Sequence, residues 1–298
     1  MYDRSLVTTE VAAPYSLAPA EAARILESLR RNGVAALRGF IPAQDAAQLH
    51  DTAETATTPG FIYGESNKLS IKTAMSEGTR DFSHPFLVSA TAARIVTTGA
   101  LLDLVEKFLG DRPIIHHGLL QRSLPLEDPI LDWHIDCGSN KSLNGIAKFP
   151  DVRLRSILYL SDVESGGLGY ILDSASEALP VFMPLHEGEL FPSDKVPTDP
   201  ERQVAMNERA GTLILFNTHG LHRPEVPKKE RLVMNVWFAR RDFSARLPAV
   251  MFSLSNVPAA NRDRLYVFDN ERGPETIHAP KPVSSPSVIR RLIRRVAG

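Results

Sequence analysis

Asp132-Trp133-His134-Ile135-Asp136 sets an imidazole and a carboxylate two residues apart. Side chains alternate along an extended chain, so His134 and Asp136 share one face while Trp133 and Ile135 take the other. Such a pair can fill adjacent corners of a metal coordination sphere, although H-x-D alone also recurs on surfaces as a plain ion pair. A distant segment adds to it. The apolar run Gly211 to Asn217 leads into Thr218-His219-Gly220-Leu221-His222-Arg223-Pro224, and Arg231 follows nine residues after His222. Two imidazoles and one carboxylate leave three positions of an octahedral ion open, the facial arrangement that suits Fe(II) and dioxygen. His219 is the rival third ligand. Three residues from His222, it faces away on a strand, and His222 has the better spacing to Arg231. An arginine one strand away can grip the far carboxylate of a dicarboxylic keto acid through two parallel hydrogen bonds.

Other residues belong around this centre by strand parity. Arg231, Val233, Asn235 and Trp237 share a face, so Asn235 and Trp237 are expected to line the cavity that Arg231 enters, with core packing an equal alternative for Trp237. Gln121 and Arg122 are candidates to reach cosubstrate or substrate, and Arg153 or Arg155 to supply a further acid-binding group. His116 and His117 sit in an apolar run and read as ordinary buried or surface histidines. Lys68 and Lys72 read as solvated, with an anionic substrate as the alternative. Cys137 is the sole cysteine. It excludes an intrachain disulfide and any cysteine-based zinc or iron–sulfur cage.

The elements that must hold these residues fall into two halves. Residues 19–33 place Ala22, Ile25, Leu26 and Leu29 on one helical stripe between Pro19 and Gly33. A short strand, Val34 to Leu37, precedes a helix over 43–56, and another helix spans 100–109. Residues 60–85 lack periodicity and predict an irregular segment that walls or covers a site. From about residue 113 the period becomes 2: strands are expected over 113–124, 131–136, 152–163, 169–173, 211–217 and 231–239. Polar, proline-containing connections at 138–150 and 174–209 interrupt them. Helices followed by strands without intervening helices predict a mainly β domain with flanking helices, a sandwich or barrel. One domain is the economical count for 298 residues, with a helical support region over about 15–110, a β core over about 111–241 and an extension over 242–298.

Composition is ordinary for a globular enzyme, at 43% apolar and 23% charged residues. A net charge of −1 supplies no field to hold a polyanion, so nucleic acid is not an expected partner. The arginines at 290, 291, 294 and 295 form one face of a short helix and read as solvated. The start MYDRSLVTTE has no apolar core of a signal peptide, and no run of 18 apolar residues predicts a membrane span. A cytoplasmic location is the resulting expectation. Oligomeric state leaves no trace in the pattern.

Taken together, His134-x-Asp136, the distal His222 and the following Arg231 resemble the Fe(II)/2-oxoglutarate-dependent oxygenases of the phytanoyl-CoA hydroxylase-like (PhyH) family. Leu29 to Phe40 (LRRNGVAALRGF) is similar to that family's opening segment. Arg155 to Leu172 (RSILYLSDVESGGLGYIL) is similar to its central strand pair, and Gly211 to Arg223 to its segment around the distal histidine. Residues 172–176 (LDSAS) depart from the family's Pro-Gly-Ser-His element. The resemblance implies a double-stranded β-helix of the jelly-roll or cupin-like kind. It implies Fe(II) on His134, Asp136 and His222, and 2-oxoglutarate on Arg231, with Arg122 and Arg155 next in line. The implied reaction oxidises an unactivated C–H of a small metabolite, converting 2-oxoglutarate and O2 to succinate and CO2. Halogenating relatives lack the metal carboxylate, so Asp136 points to hydroxylation, desaturation, epoxidation or ring closure. The competing readings are a cupin-like metal-dependent isomerase or hydrolase, which would favour H-x-H pairs, and a silent binding relative, which would have lost a ligand.

Overall fold

A computed structural model describes residues 2–66, 69–136, 154–182, 192–241 and 250–268. Cys137, Lys68, Arg153 and the arginines of the tail lie outside the described residues.

The first elements form for local reasons. Pro19–Arg31 makes helix α1, with proline at its first turn. The Glu21 carboxylate accepts from the backbone N–H of Ala18 at 2.7 Å and Ala12 at 2.8 Å, meeting two donors that the chain entering the helix leaves open. Ile25, Leu26 and Leu29 turn inward. Strand β1 is Thr8–Glu10, β2 is Val34–Arg38 and α2 is Ala43–Ala56. The next stretch is richer in structure than its sequence suggests. Ile62–Ser66 (β3) and Leu69–Lys72 (β4) form a hairpin, and Ala74–Met75 (β5) and Thr79–Ser83 (β6) follow as paired strands. The expectation of an irregular segment over 60–85 is thus corrected. Its strands carry mixed polar side chains because β5 and β6 close the sheet's edge, where a strict apolar alternation is not needed. Helices α3 (Pro85–Val88), α4 (Ala90–Val96) and α5 (Gly99–Leu109) complete this half.

The second half supplies β7 (Pro113–Ser123), β8 (Leu154–Tyr159), β9 (Leu168–Ile171), α6 (Ala175–Phe182), β10 (Gln203–Met206), β11 (Leu213–Asn217), β12 (His222–Pro224) and β13 (Arg231–Arg240). The connection predicted over 174–209 therefore holds a helix and a strand. The strand expected over 131–136 reduces to a single bridge, His134 opposite His222, because only that pair exchanges ladder bonds.

Eight strands form one large mixed sheet in the order β1-β2-β11-β8-β13-β7-β6-β5, with β1 and β2 parallel and the other pairs antiparallel. A smaller antiparallel sheet runs β10-β9-β12. One face of the large sheet presents Leu37, Leu158, Leu213, Leu215, Met234 and Phe238 to α1, α2, α4 and α5, forming the main core. The other face joins Val34, Ile157, Tyr159, Ile214, Phe216 and Val233 to Leu168, Tyr170 and Met206 of the small sheet. The molecule is β-rich, with α1, α2, α4 and α5 on one face of the large sheet and the small sheet, with Ala178 of α6 packed beside it, on the other.

Candidate metal centre

Residues far apart in sequence meet where the small sheet approaches the large one. His134 and His222 exchange both backbone hydrogen bonds at 3.0 Å, and Asp136 N–H donates to the Thr218 carbonyl at 2.9 Å. His222 is also opposite Tyr170 of β9. The Tyr170 hydroxyl donates to the Asn217 carbonyl at 2.9 Å and fills a slot between two glycines. A Cβ on Gly220 would come within 1.8 Å of that hydroxyl oxygen, and one on Gly33, whose φ is +84°, within 2.2 Å. Glycine at both positions lets the turn before His222 close onto the tyrosine.

This scaffold brings the imidazoles and the carboxylate together. His134 Nε2 lies 3.7 Å from Asp136 Oδ1, and His222 Nε2 lies 3.6 Å from Asp136 Oδ2. One ligand atom from each residue falls within 4.8 Å of the others, close enough for a single ion at bond lengths of about 2.0–2.2 Å. Each ring's other nitrogen faces a backbone carbonyl: Nδ1 of His134 that of Asp132 at 2.8 Å, Nδ1 of His222 that of Gly220 at 2.9 Å. Donation there puts the proton on Nδ1 and leaves Nε2 as a lone pair aimed at the shared space. The His222 Nε2 is buried and has no hydrogen-bond partner among the described residues, an orphan that a metal ion would satisfy.

The electrostatics agree. Burial, then the like charge of His222, pushes His134 down to about 4, so its imidazole is neutral near pH 7. Burial acting alone would raise the Asp136 carboxyl, but His222, Arg155 and His134 hold it well below the usual carboxylate range. A neutral His134 imidazole and an ionised Asp136 are the protonation states that a divalent cation requires of these two groups. His219 is buried close by but stands outside this cluster. A second acidic group, His50, Asp51 and Glu54, lies along the outside of α2 with both acids exposed.

Cross-strand register places the other candidates. Arg155 (β8), Trp237 (β13) and His117 (β7) stand in one row of the inner face, Ile157, Asn235 and Leu119 in the next, and Tyr159, Val233, Gln121 and Asp81 in a third. The Arg155 guanidinium reaches Asp136 Oδ2 at 3.4 Å and Asn235 Oδ1 at 3.0 Å, and lies over the Trp237 ring, 4.0 Å from its centroid. His117 packs on the other part of Trp237, with centroids 4.9 Å apart. Gln121 donates to Asp81 at 3.0 Å. Arg231 is buried at the far end of this wall, where its Nε donates to Ser123 Oγ at 3.2 Å and its Nη1 to the Gly166 carbonyl. Burial lowers the pKa of both arginines, against the opposing pull of Asp136 on Arg155 and of Tyr159 on Arg231.

Arg122 is not brought to this wall. Its side chain lies on the helix side of β7, donating to Thr57 Oγ1 at 3.1 Å, the Glu54 carbonyl at 3.0 Å and Glu230 at 2.8 Å. The physical reason is parity: Ser123 and Gln121 point inward, so Arg122 points outward and caps the C-terminus of α2. Asp81 and His117 are the inner-face residues that sequence reading passed over. Asp81 sat in a stretch without visible alternation, and His117 differs from His116 only in parity across the bulge near Trp237. Asp132 and Trp133 line an open cleft of about 370 Å³ with Ser193, Val196 and Pro197 of the connection ahead of β10 and Gln203 at the start of that strand.

No protein-family model and no curated protein matches the chain. Solved structures do. The chain is similar to the non-heme α-ketoglutarate-dependent carbocyclase SnoK of nogalamycin biosynthesis, with 14% identity, 78% of this chain and 87% of SnoK covered, and a TM-score of 0.57. It is similar also to the epimerase SnoN of the same biosynthesis, determined with Fe3+, α-ketoglutarate and nogalamycin RO. Identity there is 16%, with 90% of this chain and 98% of SnoN covered and a TM-score of 0.56. At these identities the likeness is one of fold: the chain has the fold of non-heme α-ketoglutarate-dependent enzymes.

Proposed function

We propose that the protein is a non-heme Fe(II)/2-oxoglutarate-dependent oxygenase of the PhyH type, acting on a small organic molecule with His134, Asp136 and His222 as its metal ligands. The observation that carries this reading is the convergence of two imidazole Nε2 atoms and one carboxylate, with both Nδ1 atoms facing backbone carbonyls and the His222 Nε2 otherwise unmatched. The fold shared with SnoK and SnoN supports it, and on this reading the two sheets are the halves of a double-stranded β-helix.

When bound, iron with 2-oxoglutarate and O2 supplies an oxidant able to take hydrogen from an unactivated carbon. The chain's own contribution is placement. Asp136 offsets part of the ion's charge and leaves positions open for the keto acid and O2. Arg231 holds the distal carboxylate of 2-oxoglutarate through its guanidinium fork, with Ser123 fixing the arginine from below. Asn235, Trp237 and Gln121 face the same space and orient what lies beside the metal, while the apolar layer of Phe216, Ile157 and Val233 keeps water out.

Hydroxylation is the expected outcome, with Asp136 retained. SnoN and SnoK are an epimerase and a carbocyclase, which makes stereochemical inversion or ring closure the second reading.

Metal binding and oxygen uptake test the proposal. Wild-type protein titrated anaerobically with Fe(II) should bind one ion and then 2-oxoglutarate, and on exposure to air should form succinate. His222→Ala should weaken Fe(II) binding by at least about 100-fold and abolish succinate formation, whereas His219→Ala should retain the metal. The opposite pattern would move the third ligand to His219, and absence of Fe(II) binding by wild type would end the oxygenase reading.

A further inference from the structure

Arg155, so far named as a further acid-binding candidate and a reserve to Arg231, has surroundings of its own. It is a guanidinium enclosed by Trp237, Phe216, Asn235 and Asp136, in the row of the inner face next to the metal residues. Two neighbouring donors in that wall have no hydrogen-bond partner among the described residues: Arg155 Nε and Asn235 Nδ2. Asn235 is only 1% exposed. Its carbonyl oxygen already accepts from Arg155 Nη2, so the two unmatched donors belong to one hydrogen-bonded pair of side chains. Buried donors are costly without an acceptor, and one species presenting negatively charged oxygens can serve both members of such a pair.

Charge points to the same kind of occupant. Asp136 and Asp81 formally cancel Arg155 and Arg231 on this wall among the described residues, with Asp81 held by Gln121. A divalent ion on the triad adds two positive charges in a place where uncompensated charge is expensive. Two carboxylates bring the wall back to neutrality. Arg231 accounts for one of them, and Arg155 is the remaining guanidinium.

We propose that Arg155, stacked on Trp237, and Asn235 form a second carboxylate subsite beside the triad, distinct from the one on Arg231. The carboxylate comes either from the metal-proximal end of 2-oxoglutarate, which closes the charge count, or from an acid group on the molecule being oxidised, which leaves one negative charge over. The subsite rests on the oxygenase reading only for the identity of that acid.

Calorimetric titrations of Mn(II)-loaded protein separate the possibilities, with 2-oxoglutarate, pyruvate and benzoate as probes. The variants are Arg155→Met, Arg155→Lys and Arg231→Ala, with thermal melting and Mn(II) affinity checking that each folds and holds the ion. If the keto acid's proximal carboxylate is the occupant, Arg155→Met weakens 2-oxoglutarate and pyruvate about 10- to 100-fold. Pyruvate is then indifferent to Arg231→Ala, and Arg155→Lys recovers part of the loss because it restores charge without the fork. If the substrate's acid is the occupant, 2-oxoglutarate affinity is unchanged in Arg155→Met while benzoate binding to the Mn(II)–2-oxoglutarate complex is lost. Unchanged affinities for all three probes in Arg155→Met overturn the proposal, as does failure of wild type to bind any of them. Should wild type bind no metal, the oxygenase reading falls, and benzoate titration of the metal-free protein and its Arg155→Met variant still decides the subsite. Should Arg155→Met fail to fold, the Lys variant with Asn235→Ala carries the same comparison.

Discussion

Arg122 and Arg231 stand one register step apart on paired strands and do opposite things. Arg122 faces the helices and ties β7 to the end of α2 through two hydrogen bonds, with a third to Glu230 ahead of β13. Arg231 faces inward, is buried, and has a serine hydroxyl and a carbonyl for company but, among the described residues, no carboxylate hydrogen-bonded to it. The whole sheet repeats this division. The helix-side face of β8, β11 and β13 is a layer of leucine, methionine and phenylalanine. The inner face of the same strands mixes apolar side chains with Arg155, Asn235, Trp237 and Arg231, of which Arg155 reaches Asp136 of the triad. On the proposed reading, a strand's alternation lets one set of residues carry stability and the other carry chemistry.

Perturbing one face at a time sharpens that contrast. The largest effect on stability should come from the helix side. Phe238 is fully buried in the main core, so Phe238→Ala should destabilise the protein by about 3–5 kcal/mol in urea unfolding while Mn(II) affinity of the folded fraction is kept. Loss of metal affinity at unchanged stability would show that the faces are not separable.

A smaller effect, with the opposite signature, is expected on the inner face. Arg231→Ala should raise the Kd for 2-oxoglutarate roughly 10- to 100-fold, equivalent to ~1.4–2.7 kcal/mol, and Arg231→Lys should recover only part of it. Arg122→Ala should instead leave that Kd within about 2-fold of wild type and remove about 1–2 kcal/mol of stability, through loss of the α2 cap. Equal effects of the two alanines on 2-oxoglutarate binding would break the comparison.

The smallest expected effect concerns pH. His84 sits at the end of β6 in the left-handed region, with φ 66°, and burial, then His117, pushes it down to about 4 from 6.5. The unfolded chain therefore binds a proton more readily than the folded one between these values, so stability falls as pH drops from 6.5 towards 4. His84→Asn suits the same backbone conformation and removes that titration. Its melting temperature should fall less than that of wild type between pH 6.5 and 4.5, and an identical fall would place the acid sensitivity in other groups, His134 first among them.

Several features of this organisation were legible in the chain itself. The 3.6-residue stripe of Ile25, Leu26 and Leu29 and the stop at Gly110 give α1 and α5 directly, because amphipathic periodicity and capping are local. The long period-2 runs locate β7, β8, β11 and β13 to within a few residues. The H-x-D pair is likewise local, and His134 and Asp136 do come together with His222.

Other features depended on contacts distant in sequence. Residues 60–85 pair at a sheet edge, where mixed polarity hides the strands, and residues 131–136 make one bridge rather than a ladder because β12 offers them one partner. Parity names which residues share a face but not which face turns inward. That choice, made by where the helices pack, sent Arg122 outward and Arg155 and Arg231 inward. Spacing alone favoured His222 over His219, and the fold sets His222 beside His134 and Asp136, after a turn that closes onto Tyr170 between Gly33 and Gly220. The sequence by itself determined the donor types and the periodicities, which are properties of neighbouring residues. Only the tertiary structure decided which donors meet and which cations face them, because those distances are closed by strands that pair across the chain.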